Sequence, residues 1–247
     1  MFVNNPRIVT DDIVGVWDPL MPDTATAATK LYDDVGSADG TMYCGSCISL
    51  DGGDEYVNCG NASDVDVTTG SFTLIGYIRN NDIGNYDVIV QKGAAGHGTT
   101  PGYRLRWESD NTLDFICTQS SSYVEDKVSS TGALSQDVWY QVAVTREAGL
   151  LKVYITGALN NSASTSVTGT LTNSAPFVLG IDYEYTSSLF NGQMADWKFF
   201  NVALTARQIK ELYVDSKAII PYGVSQTNLK LWLPFSEGGG LICYDGS

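Results

Sequence analysis

The stretch SLFNGQMADWKFFNVALTARQIKELY, residues 188–213, decides the fold class of this 247-residue chain. Its first half, residues 189–201, reads as a buried strand, because it carries far more apolar mass than a strand at a solvent edge would carry. The large apolar residues of this strand are Phe190, Met194, Trp197, Phe199 and Phe200. Thr205 and Gln208 then fit a capping box, and the helix that follows has one apolar face. The segment therefore predicts a buried strand that leads into one short helix packed on a sheet.

The rest of the chain reads as strands joined by tight turns. Strand-forming residues are frequent, and the chain contains 25 Gly. Residues 71–79 and 150–156 alternate apolar and other side chains, as half-buried strands do. A chain of this length can bury a full core, and all-β domains of this size are often single. The composition and pattern predict one all-β domain.

Several motifs in the same order resemble laminin-G-like domains of the concanavalin A-like superfamily. The closing segment of that family reads aromatic-x-Gly-x-(Ile/Met)-x-Asp, followed by an Asn-x-x-Leu-(Ser/Thr) turn. The matching residues here are Phe190, Gly192, Met194, Asp196, Asn201, Leu204 and Thr205. Residues 49–57, SLDGGDEYV, resemble the family's first hairpin, and residues 71–79 resemble its FTisaWvr strand with Tyr77 in place of Trp. The resemblance implies an all-β, two-sheet antiparallel jelly-roll sandwich (concanavalin A-like) with one short helix near the C-terminus.

The chain continues beyond the point where such a domain ends. We predict an N-terminal arm over 1–11, the jelly-roll domain over 12–216, a linker over 217–228 and a C-terminal strand over 229–247. The last part resembles the start of a second repeat, because residues 231–235, LWLPF, align with residues 16–20, VWDPL. Internal repetition matters, because the opening strand of one unit is a candidate partner for the sheet of another.

Three fates are open for this terminal strand. It can be the start of a longer chain, fold back along its own sandwich, or leave the domain and add to the sheet of the next subunit. Burying its apolar side chains is worth roughly 1.5–3 kcal/mol each, so we expect it to dock somewhere. Head-to-tail docking need not close and would build a filament. The candidate assembly residues are Leu229, Leu231, Trp232, Leu233 and Phe235.

The charge, the apolar runs and the N-terminal sequence limit the partners and the location that we expect for this chain. Its net charge is −14, with only 14 Lys and Arg. Nucleic acid is therefore not an expected partner, because phosphate binding rests on clustered basic residues. No run of 18 apolar residues exists, so we expect no membrane insertion. The N-terminus lacks a basic region followed by an apolar one, so either the protein is not secreted by the Sec route or the sequence is a mature or trimmed form. A virion protein assembled in a host cytoplasm would have such an N-terminus. The predicted location is extracellular or the virion surface.

The cysteines favour a local disulfide over a metal site. With one His in the chain, a structural zinc site is disfavoured. We interpret residues 47–59 as a hairpin around the Gly52-Gly53 turn, which would bring Cys59 within reach of Cys44 or Cys47. In an oxidising compartment these three residues are the disulfide candidates.

The sequence shows no pair of carboxylates at positions that would suit catalysis. Retaining glycoside hydrolysis needs two carboxylates about 5–5.5 Å apart, and the nearest pairs, Asp182 with Glu184 and Asp64 with Asp66, read as solvated turn residues. We therefore predict no enzyme activity and assign no catalytic residue.

Two kinds of binding site are predicted instead. The family resemblance implies a structural Ca²⁺ held by Asp18 and Asp196, with loop carbonyls completing six to eight oxygens. The alternative is that Asp196 caps a turn and Asp18 is exposed. Carbohydrate binding needs exposed aromatic rings beside polar groups, and Tyr183, Tyr185 and Trp107 are the candidates.

The sequence thus favours a non-enzymatic structural or adhesion subunit of an extracellular or virion-surface assembly. The duplicated opening strand favours self-association, with a filament as one outcome, through the terminal strand. The alternative is a carbohydrate-binding module that uses calcium.

Overall fold

The computed structural model describes residues 30–31, 40–41, 47–93, 100–119, 124–147, 149–182, 188–235 and 245–247. Fifteen strands and one α-helix lie in these ranges. The strands are β1 Lys30–Leu31, β2 Gly40–Thr41, β3 Ile48–Asp51, β4 Val57–Asn58, β5 Phe72–Asn80, β6 Asp87–Gly93, β7 Gly102–Trp107, β8 Leu113–Gln119, β9 Val124–Ser129, β10 Trp139–Glu147, β11 Leu150–Ile155, β12 Ala158–Ser164, β13 Phe177–Leu179, β14 Asn191–Phe200 and β15 Leu229–Leu233. The helix is α1, Ala206–Val214, and short 3-10 turns lie at Ser63–Val65 and Gln226–Asn228.

Two antiparallel sheets form a sandwich. The seven-stranded sheet has the order β12-β11-β10-β5-β14-β15, with β3 also paired to β14. The six-stranded sheet has the order β4-β13-β6-β7-β8-β9. Strands β1 and β2 form a separate two-stranded pair.

The core lies between the two sheets. Alternate residues of each strand point inward, so Phe72 and Leu74 of β5 meet Tyr103 and Phe115 of the opposite sheet. Phe199 of β14 stacks on Phe72 with ring centroids 5.5 Å apart. The predicted buried strand is therefore confirmed: β14 lies inside the seven-stranded sheet and its largest apolar side chains are fully buried.

The helix covers the outer face of the seven-stranded sheet. Ile209 and Leu212 of α1 pack on Ile75, Ala143 and other outward-facing residues of the sheet. The predicted capping box is confirmed, because the Thr205 side chain accepts from the Gln208 backbone N–H and the Gln208 side chain accepts from the Thr205 backbone N–H. Because β5 is covered on both faces, nearly all of its residues are buried.

The predicted hairpin over residues 47–59 is wrong. Strand β3 pairs with β14 in one sheet, and β4 pairs with β13 in the other. The turn at Gly52, where φ is +76°, carries the chain across from one sheet to the other. The physical reason is that such short strands gain more stability by hydrogen-bonding to a strand of an established sheet than by pairing with each other.

Candidate binding site

The terminal strand docks on its own domain. β15 runs antiparallel to β14, with Trp197 opposite Leu233 and Phe199 opposite Leu231. Leu229, Leu231, Leu233 and Phe235 are buried, which satisfies the expectation that this strand does not stay free in water. Of the three fates predicted for it, the structure has the fold-back arrangement. Self-association through these residues stays a prediction, which a single chain does not test.

The linker before β15 explains this choice. Tyr222 donates its backbone N–H to Glu211 of α1, and its carbonyl accepts from Gln208. Asn228 donates its side-chain amide to Asn201, directly after β14. Because the linker is bonded to the helix and to the end of β14, it delivers the strand to its own sheet.

Trp232 and Asp196 join β15 to β14 through their side chains. The Trp232 indole N–H donates to one carboxylate oxygen of Asp196 at 2.7 Å, and the buried Lys198 ammonium donates to the other. Burial lowers the pKa of Lys198, and the charge of Asp196 opposes that shift. Asp196 has φ +50° at an irregularity of β14, which turns its carboxylate toward both donors.

A cleft lies where the edges of the two sheets come together. It runs between β4 of the six-stranded sheet and β15 of the seven-stranded sheet, and its volume is about 380 Å³. Pockets of 300–1,000 Å³ are the size that binds small ligands. Its floor is apolar and is formed by Val57, Cys59, Ala62, Val65, Leu231 and Leu233.

The rim of the cleft is polar and carries one aromatic ring. The rim residues are Tyr56, Asn58, Asp64, Lys230 and Asp245. Tyr56 is 41% exposed and places an aromatic ring at this rim. Asp245 is held by β15, because its carboxylate accepts the Trp232 backbone N–H at 2.9 Å. The arrangement combines an apolar floor with hydrogen-bonding groups and an aromatic surface, as small-molecule sites do.

The predicted metal residues are placed only in part. Asp18 lies outside the described residues, and both carboxylate oxygens of Asp196 are engaged by Lys198 and Trp232. An ion at Asp196 would have to displace the Lys198 ammonium, so calcium binding there stays a prediction. The structure brings together a different acidic group, Asp51, Asp54 and Glu55, which is exposed at the turn between β3 and β4.

The acidic group at that turn has local partners. The Asp51 carboxylate accepts from the Gly53 N–H, and Glu55 accepts from the Asp51 N–H. These hydrogen bonds hold the turn and account for the clustering. The pKa of Asp51 is lowered, first by a hydrogen bond between its side chain and that of Glu55 and then by the Gly53 N–H.

Of the three predicted ligand-binding aromatics, only Trp107 lies within the described residues, and it does not line the cleft. Tyr183 and Tyr185 lie outside the described residues. Trp107 is fully buried in the core and donates its indole N–H to Asn111, so its prediction as an exposed ligand-binding ring is corrected. The reason is visible in the alternation of β7, where Trp107 shares the inward face with Tyr103 and Leu105.

Two of the disulfide candidates, Cys47 and Cys59, lie before β3 and after β4, and both are half-buried. Cys44 lies outside the described residues. The disulfide stays a prediction, although the hairpin that suggested it is absent.

Sequence comparison now identifies the family. A laminin G family model described as "Concanavalin A-like lectin/glucanases superfamily" matches residues 51–210, more than half of the chain. The chain belongs to this family. The predicted all-β, two-sheet sandwich with one short C-terminal helix is thereby confirmed. No curated protein sequence matches the chain.

Solved structures share this laminin-G-like fold. The native heptameric SAP-like pentraxin from Limulus polyphemus aligns with a TM-score of 0.50 and 16% identity, over 68% of this chain and 81% of the pentraxin. The binding domain of Paraclostridial Mosquitocidal Protein 1 gives 0.55 and 13%, over 78% of this chain and 47% of that one. The receptor binding domain of botulinum neurotoxin D gives 0.52 and 18%, over 69% and 44%.

At these identities the likeness shows the fold alone, and this laminin-G-like chain spans less than half the length of either toxin structure. Within the described ranges, no helix has the length and apolar character needed to cross a membrane.

Proposed function

We propose that this laminin-G-like protein is a non-enzymatic adhesion domain of an extracellular or virion-surface assembly, and that the cleft between β4 and β15 binds carbohydrate. The observation that carries the proposal is the Tyr56 ring at the polar rim of an apolar-floored cleft. A sugar presents C–H faces that pack on an aromatic ring and hydroxyls that need directed donors and acceptors. Asn58, Asp64 and Lys230 supply both kinds of group.

The relatives in structure support a binding role in general terms. The two toxin structures are described as binding domains, and the pentraxin is an oligomer. Binding at a sheet edge also gives the terminal strand a role within one molecule, because Lys230, Leu231 and Leu233 form one wall of the cleft.

Self-association through the terminal strand has less support. The contacts of β15 with β14 could form between two copies only if the linker left its own helix. It would then lose the Tyr222–Glu211 hydrogen bond, whereas the Asn228–Asn201 bond would form again between the two copies. The proposal therefore places adhesion in the cleft and treats the protein as a monomer.

A glycan array tests the proposal. The intact protein is applied with and without calcium, beside Tyr56→Ala and the matched control Tyr222→Ala. Tyr222 is 85% exposed on the linker and lies outside the cleft. We expect the intact protein and Tyr222→Ala to bind the same glycans, and Tyr56→Ala to lose them.

Two results would overturn the proposal. One is an array without hits in either calcium condition, and the other is equal loss of binding in both tyrosine variants. Cleavage of any bound oligosaccharide during incubation would contradict the non-enzymatic assignment. Both tyrosines are partly or largely exposed, so neither substitution is expected to unfold the protein.

A further inference from the structure

Lys92 of β6 is a lysine whose side chain is fully buried. It is paired across the strands with Tyr103 of β7, so it shares the inner face of the six-stranded sheet with that core residue. Three oxygens surround its ammonium: Asn61 Oδ1 at 2.8 Å, the Ala175 carbonyl at 2.9 Å and Asp66 Oδ1 at 3.2 Å. The fold therefore places an amine, a carboxamide and a carboxylate in mutual contact at the end of the core.

Three neighbouring strands bring these groups together. Asn61 follows β4, Ala175 precedes β13 and Lys92 lies in β6, and the sheet has the order β4-β13-β6. The hydroxyl of Tyr103, which is also fully buried, donates at 2.8 Å to the backbone carbonyl just before Asp66. The approach of the three groups is thus fixed by the sheet and by a second buried side chain.

The carboxylate of Asp66 has one oxygen that no hydrogen bond uses. Its Oδ1 is buried and accepts no hydrogen bond from the described residues, although the Lys92 ammonium nitrogen lies 3.2 Å away. A heavy-atom separation of about 2.6–3.2 Å is the range over which general bases take protons. Asp66 is therefore within reach to accept a proton from Lys92, which leaves the neutral amine, the nucleophilic form of lysine.

We propose that Lys92 and Asn61 become joined by an isopeptide bond, with Asp66 as the proton carrier. The Lys92 amine attacks Cγ of Asn61, so the Nζ–Cγ bond forms and the Cγ–Nδ2 bond breaks. Lys92 gives up two protons in the process, and Asp66 passes both to the departing nitrogen. Ammonium leaves, Asp66 is again a carboxylate, and the step needs no oxidant or co-reactant.

The surroundings suit both the reaction and its product. Nζ already contacts the carbonyl oxygen of the Asn61 amide, so a rotation of that amide brings Cγ into line for attack. Asn61 is exposed, which gives the released ammonium a path to solvent. The isopeptide N–H keeps one donor, and the Ala175 carbonyl that now accepts from Nζ can accept from it. The product also removes the positive charge of Lys92 from the core.

The bond would fasten one wall of the cleft to the sheet. Ala62, Asp64 and Val65, which directly follow Asn61, line that cleft. A link from Asn61 to Lys92 crosses β13 and ties this turn covalently to β6. The proposal does not depend on what the cleft binds, so the two can fail separately.

Mass spectrometry of the intact protein tests the bond directly. The bond makes the chain lighter by one ammonia, about 17 Da. Trypsin does not cut after an amide-linked lysine, so a digest should lack cleavage at Lys92 and contain a branched peptide that joins Asn61 to Lys92. A succinimide at Asn191-Gly192 would give the same mass loss. The branched peptide therefore decides, rather than the mass alone.

Two variants and a matched control assign the roles. Lys92→Met removes the nucleophile and Asp66→Asn removes the proton carrier, so we expect neither to contain the branched peptide. Asp64→Asn, at an exposed position of the same turn, should retain it in full. Complete cleavage at Lys92 without a branched peptide in the parent protein would overturn the proposal, whether or not the variants fold. Undiminished bond formation in Asp66→Asn would overturn the role of Asp66.

Discussion

Trp232 donates its indole N–H to the Asp196 carboxylate at 2.7 Å, and this bond ties the terminal strand to the closing strand of the laminin-G-like domain. The same carboxylate neutralises Lys198, whose side chain is almost fully buried. Asp196 therefore has two tasks. It positions β15, which forms one wall of the cleft, and it keeps a buried ammonium paired.

Asp196→Asn should be strongly destabilising. The amide keeps an acceptor for Trp232 but leaves the Lys198 charge uncompensated, and breaking a buried ion pair from one side costs about 3–5 kcal/mol. The matched control is Asp137→Asn, which also has a positive φ and pairs with Arg79 at a more exposed site. We expect that control to cost less than about 1 kcal/mol. Urea unfolding measures both, and equal losses would contradict the role assigned to Asp196.

Gly76→Ala should disrupt the centre of the seven-stranded sheet. A Cβ at Gly76 would lie 2.4 Å from the Trp197 ring, which is enclosed in the core. Overpacking of this kind typically costs about 1–3 kcal/mol or more. Gly70→Ala is the control, because a Cβ there meets nothing within 4 Å. Thermal unfolding that changed equally in the two variants would contradict this packing.

Asp87 should make stability fall as the pH rises. Burial raises the pKa of Asp87 from 3.8 to about 6, and the Asn80 hydrogen bond opposes the shift only in part. Between about pH 4 and 6 the folded protein binds more protons than the unfolded chain, so the free energy of unfolding contributed by Asp87 decreases through that window and stays low above it. At 1.36 kcal/mol per pKa unit the contribution is at most about 3 kcal/mol.

Asp87→Asn should remove this dependence. The variant keeps a partner for Asn80 and carries no charge, so we expect it to be more stable than the parent at pH 7.5 by about 2–3 kcal/mol and nearly equal to it at pH 4. Urea unfolding at the two pH values is the measurement, with the exposed Asp54→Asn as the control. A variant less stable than the parent at pH 7.5 would contradict the assignment.

The protein should be monomeric with its terminal strand in place. Light scattering after size exclusion should give the mass of one chain across micromolar concentrations. Removal of residues 229–247 should prevent folding, because four large buried side chains at about 1.5–3 kcal/mol each amount to most of a domain's stability. A mass that grows with concentration would contradict the monomer and favour strand exchange between subunits. A stable truncated domain would contradict the contribution of β15 to the core.

The sequence predicts the parts of this fold that local pattern determines. The apolar run of β14 and the Thr205–Gln208 capping box are both visible in residues 188–213, and the structure confirms them. The inward direction of Trp107 was also readable, since Tyr103, Leu105 and Trp107 alternate along one strand. The ligand role predicted for Trp107 overlooked that alternation.

Partner choice between distant strands is what the sequence does not reveal. The Gly52-Gly53 turn predicts a hairpin locally, whereas β3 and β4 pair with β14 and β13, more than a hundred residues away. The cleft likewise brings together Tyr56 and Lys230, which are far apart in the sequence. Tyr56 was visible as part of the family's first motif, but no local signal places it beside the terminal strand.

Hydrogen exchange with and without bound glycan tests the central claim most directly. The glycan that binds most tightly on the array is added to the intact protein, and amide protection is mapped along the chain. Because the cleft lies between β4 and β15, the glycan should slow exchange at residues 57–59 and at residues 230–233 together. Slowed exchange elsewhere, with both of these segments unchanged, would contradict the account.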